Sequence, residues 1–422
     1  MDRHVRSNAR GVRGVRFAAT GLALAFCLAA ALTVLPPGVA QGSVVKVGAP
    51  GPLQLGVGQG ILYGLQLAAG EINARGGILG RKLTVIPEDE AETPEVGIAA
   101  IRKLLEQDKV DVLIGGQTSG VTLAQLPHIA RARVIYLGVG AASPLITEHV
   151  RRDYNTYKYI FRVSPLNSTY LGIGLADFLD EFVRGELKLT RIAILGENLI
   201  WVQGVLPALE RRLAEKRGLE IVYKELFDVR ITDFSPIFTK IRSSGAQFLV
   251  PIVSHASSDV MAKAFASLRM PIPWGGIDVK SQEGDHCEKL GGAPIGQIVL
   301  FGTPPLRVPL TPKTIPFFDK YVEKFRREPV YTSFGAYDAL YIYKEAVERA
   351  RSFDPERVIP QLERTNYIGT GARIAFDEAH DLRYGPGYAR LHYVQWQDGC
   401  RRALIWPKEV ATGRYVALPW MR

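Results

Sequence analysis

The sequence predicts an α/β protein made of two doubly wound lobes, each built around a parallel sheet. Short runs rich in β-branched residues alternate with helical stretches of roughly 10–15 residues, the pattern of βαβ units. The alternation restarts after Phe161-Arg162, without close sequence repetition. The 422 residues also exceed the roughly 250–300 residues at which a single core stops growing. Together these observations favour two lobes over one.

The first run of alternation begins at Val44 and supplies the elements of one lobe. Pro94 opens its second helix, a position that tolerates the missing N–H. Gly76 and Gly77 follow its first helix, where the chain turns through positive φ. Strands are expected at 44–48, 82–87, 110–114 and 134–137, and helices at 63–73, 95–107 and 123–130.

The second run of alternation supplies the other lobe and a connecting region. Strands are expected at 191–195, 220–223 and 248–252, and helices at 173–182, 205–216, 234–242 and 259–268. A stretch rich in Pro and Leu at 303–312 connects to amphipathic helices at 317–327 and 336–349. The tail after Ala389 alternates apolar and polar residues, which predicts a hairpin at Asp398-Gly399.

Residues 1–40 have the pattern of a secretory signal peptide. Five arginines precede an uncharged apolar run at 17–34, and small residues precede a cleavage point after Ala40. We therefore expect a periplasmic protein. A retained membrane anchor is the alternative, because the run approaches the length that spans a bilayer. A lipid anchor at Cys27 is disfavoured, because bulky Phe26 precedes it.

Charge and cysteine content limit the classes of function. The formal charge is +10, and the expected signal peptide contributes five Arg and one Asp, which leaves +6 for residues 41–422. No block of Lys and Arg suggests nucleic-acid binding. Cys287 and Cys400 remain after cleavage, and they form either one disulfide or two separate buried thiols.

Motifs for cofactors, metals and catalysis are absent from the sequence. The run 56–60 contains glycines, but Tyr63 stands where a dinucleotide-binding G-x-G-x-x-G needs glycine. No Walker loop, HExxH or G-x-S-x-G occurs, and the seven His are scattered. We expect no cofactor and no metal, and an enzyme is only a remote alternative.

Several segments resemble one family when they are taken in order. The run Glu71-Ile72-Asn73-Ala74-Arg75-Gly76-Gly77-Ile78-Leu79-Gly80-Arg81-Lys82-Leu83 is similar to a signature of the branched-chain amino-acid (Leu/Ile/Val)-binding receptors. These are type I periplasmic binding proteins of ABC transporters. Further similar segments lie at 88–90, 159–165, 232–235, 336–339 and 371–377.

The resemblance implies two lobes joined by three hinge crossovers, near 162–165, 303–305 and 372–377. The N-terminal lobe would comprise 44–163 plus 304–372, and the C-terminal lobe 164–303 plus 373–422. A ligand would bind between the facing strand ends of the two sheets. Hinge closure would then bury it.

The resemblance also implies candidate ligand-binding residues in the first lobe. Ser119 falls where the family offers a hydroxyl and backbone N–H groups to a carboxylate, at a helix start that favours anions; plain helix capping is the alternative. Gly140, Ala141 and Ser143 form the next strand-end loop. Ala142 stands where amino-acid receptors usually carry Thr.

Three further candidates come from the second lobe. Trp201 falls where the family commonly packs an aromatic residue over the ligand, although it would also suit a core. Ser254 ends a strand beside His255, which is more often structural. Asp278 falls where amino-acid receptors place a Glu against the ligand's ammonium, because an unpaired buried charge is costly; a capping Asp is the alternative.

The resemblance implies the substrate-binding component of an ABC importer that captures an amino acid or related small polar solute. Its partners would be that solute and a membrane permease, and the protein would be a monomer. The loop at 52–58 is shorter than in the family, with Val57 where an aromatic often lies, so the solute itself is not implied. The alternative is a ligand sensor for amides, urea-like compounds or aromatic acids without transport.

Overall fold

The computed structural model describes residues 44–421, so the expected signal peptide at 1–40 lies outside the described residues. The described part of the chain folds into two large sheets flanked by helices. None of its helices combines the length and apolarity needed to cross a membrane.

The first sheet has five parallel strands in the order β2-β1-β3-β4-β5. Its strands are β1 (Val45–Gly51), β2 (Leu83–Asp89), β3 (Val112–Gly115), β4 (Ile135–Gly138) and β5 (Ile160–Arg162). Its helices are α1 (Gly56–Ala74), α2 (Pro94–Arg102), α3 (Ser119–Ala132), α4 (Leu145–Arg152) and α5 (Tyr154–Tyr157). Both β3 and β4 are buried along their whole length, which explains their continuous apolar sequence.

The second sheet has seven strands in the order β14-β13-β10-β9-β8-β6-β7. Its strands are β6 (Arg191–Glu197), β7 (Glu220–Phe227), β8 (Phe248–Val253), β9 (Gly275–Asp278), β10 (Ile298–Phe301), β13 (His392–Gln397) and β14 (Arg401–Trp406). Its helices are α6 (Ser168–Phe178), α7 (Ile200–Lys216), α8 (Ser235–Ser243), α9 (Ser257–Ser267) and α10 (His286–Lys289).

The two-lobed α/β fold is confirmed, but the second sheet is mixed rather than wholly parallel. Strands β6 to β10 pair in parallel, whereas β13 runs antiparallel to both β10 and β14. The expected hairpin is present and extends this sheet. A short turn such as the one at Asp398-Gly399 can join only antiparallel strands.

The region between β10 and β13 returns to the first sheet. It contains α11 (Thr314–Phe325), α12 (Tyr331–Ala350), α13 (Pro355–Glu363), β11 (Tyr367–Ile368) and β12 (Arg373–Ile374). Helix α12 packs so closely along α1 that only glycine fits at two positions of α1. A Cβ on Gly60 would lie 2.6 Å from Thr332 Oγ1, and a Cβ on Gly64 would lie 2.4 Å from the Ser333 carbonyl oxygen. Because glycine is unusual inside a helix, the sequence pattern predicted a helix start near residue 63. The helix in fact begins at Gly56.

The chain passes between the sheets three times, after β5, after β10 and before β13. Residues 377–381 still contact the first sheet, where Arg162 N–H donates to the His380 carbonyl oxygen at 2.9 Å. Tyr384 stacks on Tyr170 of α6, with ring centroids 5.2 Å apart. Residues 377–381 therefore lie against the first sheet, and Tyr384 lies against a helix of the second.

A buried ion pair, which we call the hinge hub, joins the first and third crossings. Arg162 Nε donates to Asp381 Oδ1 at 2.8 Å, and the two side chains are 2% and 4% exposed. Each guanidinium nitrogen and each carboxylate oxygen makes at least one hydrogen bond, which offsets the cost of burying the charges. The other partners are the carbonyl oxygens of Ala141 and Ser143 for Arg162, and the side chains of Thr147 and Asn167 and the Leu382 N–H for Asp381.

The two cysteines left open by the sequence are joined in a disulfide. Cys287 of α10 bonds to Cys400, which follows the hairpin turn, with their Cα atoms 5.5 Å apart. Cys287 is fully buried. The bridge therefore fastens the hairpin to the body of the second lobe across 113 residues of sequence.

Candidate functional site

A cavity of about 240 Å³ lies where the strand-end loops of the two sheets face each other. This is where open α/β sheets bind ligands. Its walls come from both lobes and from the crossing segments. The lining residues most relevant to ligand chemistry are Glu92, Gln117, Thr118, Ser119, Gly140, Ala142, Trp201, Ser254, His255, Gln282, Tyr331 and Asp338.

The start of α3 forms the polar wall of the first lobe. Ser119 is buried and lines the cavity, and its Oγ accepts from the Ser143 N–H at 3.1 Å. The hydroxyl proton of Ser119 therefore remains available to an acceptor. Thr118, at the cap position, makes no side-chain cap hydrogen bond, so this helix start can receive an anionic group.

The loop after β4 reaches the cavity, but two of the residues predicted to bind ligand from this loop do not line it. Gly140 and Ala142 line the cavity, and Tyr331 Oη donates to the Gly140 carbonyl oxygen at 3.0 Å. Ala141 and Ser143 are absent from the lining, because their carbonyl oxygens accept hydrogen bonds from the Arg162 guanidinium. They support the loop from behind.

The second lobe contributes Trp201 and Ser254 to the cavity. Trp201, in the first turn of α7, lines the cavity while also packing on the hydrophobic core. The Ser254 hydroxyl donates to Glu197 Oε2 at 2.8 Å. Its proton is therefore already used.

Asp278 does not line the cavity, contrary to the sequence-based expectation. It is fully buried, and its carboxylate accepts hydrogen bonds from Ser258 Oγ at 2.7 Å, Gln297 Nε2 at 2.8 Å and the Ser281 N–H at 3.1 Å. Burial raises the pKa of Asp278, although these hydrogen bonds act to lower it. The side chain closes the end of β9 inside the lobe, so it cannot meet a ligand ammonium in this arrangement.

A histidine links the two lobes at the cavity wall. Glu197 at the end of β6 is fully buried and lies 3.2 Å from His255 Nδ1, while His255 Nε2 lies 3.4 Å from Glu92 Oε1 of the first lobe. Glu197 also accepts from the His255 N–H at 2.9 Å and from Ser257 Oγ at 2.6 Å. We call Glu197, His255 and Glu92 the histidine clasp.

The clasp is ionic at neutral pH. Burial disfavours the charged imidazole, but the hydrogen bonds to Glu197 and Glu92 outweigh it and raise the pKa of His255 to about 10. For Glu197, burial acts to raise the pKa, but the hydrogen bond and charge of His255 lower it overall. The imidazolium is thus held between two carboxylates, one from each side of the cavity.

The lining residues missed by the sequence interpretation include Glu92, Gln282 and Asp338. Gln282 Oε1 and Asp338 Oδ1 are buried without a hydrogen-bond partner. Burial raises the pKa of Asp338 to about 7, although hydrogen bonds from Thr370 oppose it. Glu92 could have been found, because it follows β2 and strand ends face the cleft.

Replacing His255 by Gln is expected to speed ligand dissociation about two- to fivefold. The clasp ion pair is partly exposed, at 23% and 28%, and such pairs contribute roughly 0.5–1 kcal/mol. Because the pKa of His255 is raised, this contribution is complete below its ordinary value and is lost as the pH rises towards about 10.

Stopped-flow dissociation rates as a function of pH measure this effect. His128→Gln, at a histidine outside the cavity lining, serves as the matched control. A double-mutant cycle with Glu92→Gln isolates the pair. Additive effects of the two substitutions would show that the clasp does not hold the lobes together.

Within residues 44–421, no group of three or more His, Cys, Asp or Glu side chains is placed to hold a metal ion. Two lobes, a cavity between their strand ends and wall residues from both lobes together define a solute receptor.

The chain belongs to the periplasmic binding protein family, which it matches over residues 46–399. A Leu/Ile/Val-binding protein homologue from Brucella abortus is 25% identical over 382 residues, which cover 89% of this chain and 97% of that protein.

Two solved structures share the fold. The leucine-binding protein LivK of Thermotoga maritima has a TM-score of 0.74 at 20% identity, covering 86% of this chain and 98% of that one. The second is a solute-binding protein of an ABC transporter from Rhodopseudomonas palustris, solved in complex with 3,4-dihydroxybenzoic acid. It has a TM-score of 0.72 at 20% identity, covering 90% of this chain and 99% of that one.

Proposed function

We propose that this protein is the extracytoplasmic substrate-binding component of an ABC importer, and not an enzyme. It captures an amino acid or related small polar solute by closing its lobes, and presents it to a membrane permease. The observation that carries this proposal is the cavity of about 240 Å³ between the lobes, bridged by the histidine clasp. Family membership and the names of the relatives support it.

The proposal includes export and a monomeric state. Residues 1–40 act as the signal peptide, and the exported chain works in the periplasm as a monomer. The N-terminal lobe comprises 44–163 plus 304–381, and the C-terminal lobe 164–303 plus the chain after 381. The last boundary is moved from 372 because 377–381 contact the first sheet.

The ligands named for the relatives differ, so they do not identify which small polar solute this protein binds. Relatives carry names for leucine, isoleucine and valine, and one structural neighbour was solved with a dihydroxybenzoic acid. Ser119 and the start of α3 suit a carboxylate, which both kinds of solute contain. The carboxylate is therefore the shared part of the proposed ligand.

A thermal-shift panel tests the proposal on purified chain from residue 41 onward, after bound solute has been removed by unfolding and refolding. A ligand at 100 times its Kd stabilises by about 2.7 kcal/mol, which raises Tm by a few degrees. Amino acids, amides, urea-like compounds and aromatic acids form the panel. If none of them raises Tm, the proposed function is wrong.

Trp201 fluorescence gives a second measurement on the same material. Of the five Trp, Trp201 is the one found in the described cavity lining, so a bound solute is expected to change its emission. Trp201→Phe should abolish the change. An identical change in that variant would assign the signal to another tryptophan.

Stimulation of the permease separates an importer component from a ligand sensor. A receptor for import is expected to raise the ATPase rate of its reconstituted permease in the presence of solute. A chain that binds solute but leaves the ATPase rate unchanged would instead be a sensor.

A further inference from the structure

We propose that the solute carries an N–H donor group, an ammonium or an amide, and that Asp338 accepts a hydrogen bond from it. This inference rests on the proposed function, and it names the solute class and a specificity-determining residue of that same cavity. Three observations carry it: an unpartnered acceptor on Asp338, the lack of a cation in the described lining and the position of Asp278 outside that lining.

Asp338 belongs to the face of α12 that lines the cavity. Tyr331, Phe334, Gly335 and Asp338 stand at helical spacing, and all four are lining residues. Asp338 is only 3% exposed, so its carboxyl group is held by the packing around it. A ligand at this part of the wall meets a carboxyl group that is already positioned.

Within the described residues, hydrogen bonds reach only one of the two carboxyl oxygens of Asp338. The N–H and the hydroxyl of Thr370 both donate to Asp338 Oδ2, each at 2.8 Å. Oδ1 is buried and has no hydrogen-bond partner. A buried acceptor without a donor is costly, and such acceptors are rare in native proteins. A donor on the solute would remove this cost.

No cation from residues 44–421 forms an ion pair with Asp338. The described lining contains no lysine or arginine. Lys313 acts on Asp338 through its charge, but its Nζ lies 3.7 Å from the centroid of the Tyr367 ring. The acceptor is therefore left to a donor from the solute.

Glu92, the other carboxylate of the described lining, already has partners. Its Oε1 lies 3.4 Å from His255 Nε2 and accepts a hydrogen bond from Thr118 Oγ1 at 3.4 Å. In the second lobe, Gln282 Oε1 is another buried acceptor without a partner. Acceptors that lack a donor thus occur in both lobes, which favours a solute with N–H groups over a simple acid.

Asp278, where the resemblance implies the partner of an ammonium, does not serve this role. It lies fully buried within the second lobe, and its carboxylate accepts hydrogen bonds from Ser258 and Gln297. The unpartnered acceptor lies on α12 instead. The nitrogen of the solute is therefore assigned to the first lobe.

The charge of Asp338 distinguishes an ammonium from an amide. Burial raises the pKa of Asp338 to about 7, although the hydrogen bonds from Thr370 and the charge of Lys313 act to lower it. Tyr367 is the other titratable group that interacts with it; burial raises the pKa of Tyr367, and Asp338 adds to this effect. An ammonium favours the ionised carboxylate, so its binding at pH 6 should release up to about 0.9 of a proton. An amide should release less.

Isothermal titration calorimetry on the refolded chain tests the N–H group with two matched pairs of probes. Leucine and 4-methylpentanoate differ only in the α-ammonium, and 3-phenylpropanamide and 3-phenylpropanoate differ in an amide for a carboxylate. We expect the N–H-bearing member of at least one pair to bind at least tenfold tighter than its partner. We also expect the solute that raises Tm most in the thermal-shift panel to carry an N–H group. Titrations at pH 6 in buffers of different ionisation enthalpy measure the proton release.

Substitution of Asp338 tests the residue, with the solute that raises Tm most as the probe. Asp338→Asn keeps an oxygen for Thr370 and places an NH₂ group where Oδ1 stands. It should weaken binding at least tenfold and abolish any proton release. Asp278→Asn is the matched control, because Asp278 is also buried, at 0% against 3%, but lies outside the described lining. It should change affinity less than twofold, and the Tm of both variants verifies that they fold.

The outcomes separate this inference from the proposed function. A strongest panel solute without an N–H group, or equal affinity within both probe pairs, would overturn the inference and leave the receptor function intact. Equal losses in the two Asn variants, or a loss in Asp278→Asn alone, would remove Asp338 from the site. If no solute binds, both proposals are wrong.

Discussion

Replacing Arg162 by Met is expected to lower the free energy of unfolding by about 3–5 kcal/mol, the usual cost of removing one partner of a buried ion pair. Asp381 would keep its charge at 4% exposure without the guanidinium that balances it. The carbonyl oxygens of Ala141 and Ser143 would lose their donors as well. Few single substitutions in this protein should cost more.

Urea unfolding followed by circular dichroism measures this loss. Arg152→Met is the matched control, because Arg152 pairs with Glu148 at 3.1 Å but is 74% exposed, and exposed pairs contribute about 0–1 kcal/mol. The double variant Arg162→Met with Asp381→Leu should recover part of the stability, since neither charge then remains. A loss below about 1 kcal/mol in Arg162→Met would show that the hinge hub is not energetically coupled.

Replacing Cys287 and Cys400 together by Ser is expected to cost up to about 4.7 kcal/mol, the chain-entropy value for a loop of about 100 residues. The bridge closes a loop of 113 residues, and so it restricts a large part of the unfolded chain. The cost is expected to appear as a lower midpoint of urea unfolding and a lower Tm.

Chemical reduction provides the independent comparison. Dithiothreitol should lower the Tm of the unaltered protein towards that of the double variant and leave the double variant unchanged. Thiol titration of the unfolded, non-reduced protein should find no free thiol at either position. Two free thiols would contradict the disulfide itself.

The repeating elements were predictable from the sequence, because apolar residues at a helical or strand period are local information. Strands such as β3 and β8 were expected within a few residues of their actual bounds. The elements missed were those with weak local patterns, such as the three residues of β5 and the glycine-rich start of α1. Helix α1 packs against α12, and β5 pairs with β4, so both depend on contacts distant in sequence.

The sequence did not indicate how deeply each candidate side chain is buried or which partners it contacts. The resemblance placed Asp278 against the ligand, but its carboxylate accepts hydrogen bonds from Ser258 and Gln297 inside the second lobe. His255 was only weakly favoured by sequence, yet Glu197 and Glu92 place it at the boundary between the lobes. Each case depends on partners more than 15 residues away in the chain.

The hinge hub restricts how the protein can open. The first and third crossing segments leave the N-terminal lobe from a single bonded pair, Arg162 and Asp381, so their separation there is fixed. Because two of the three crossings start at this one point, we expect the lobes to open mainly by rotation about it. The cavity-lining residues Leu166 and Leu382 of the crossing segments would then move least on opening.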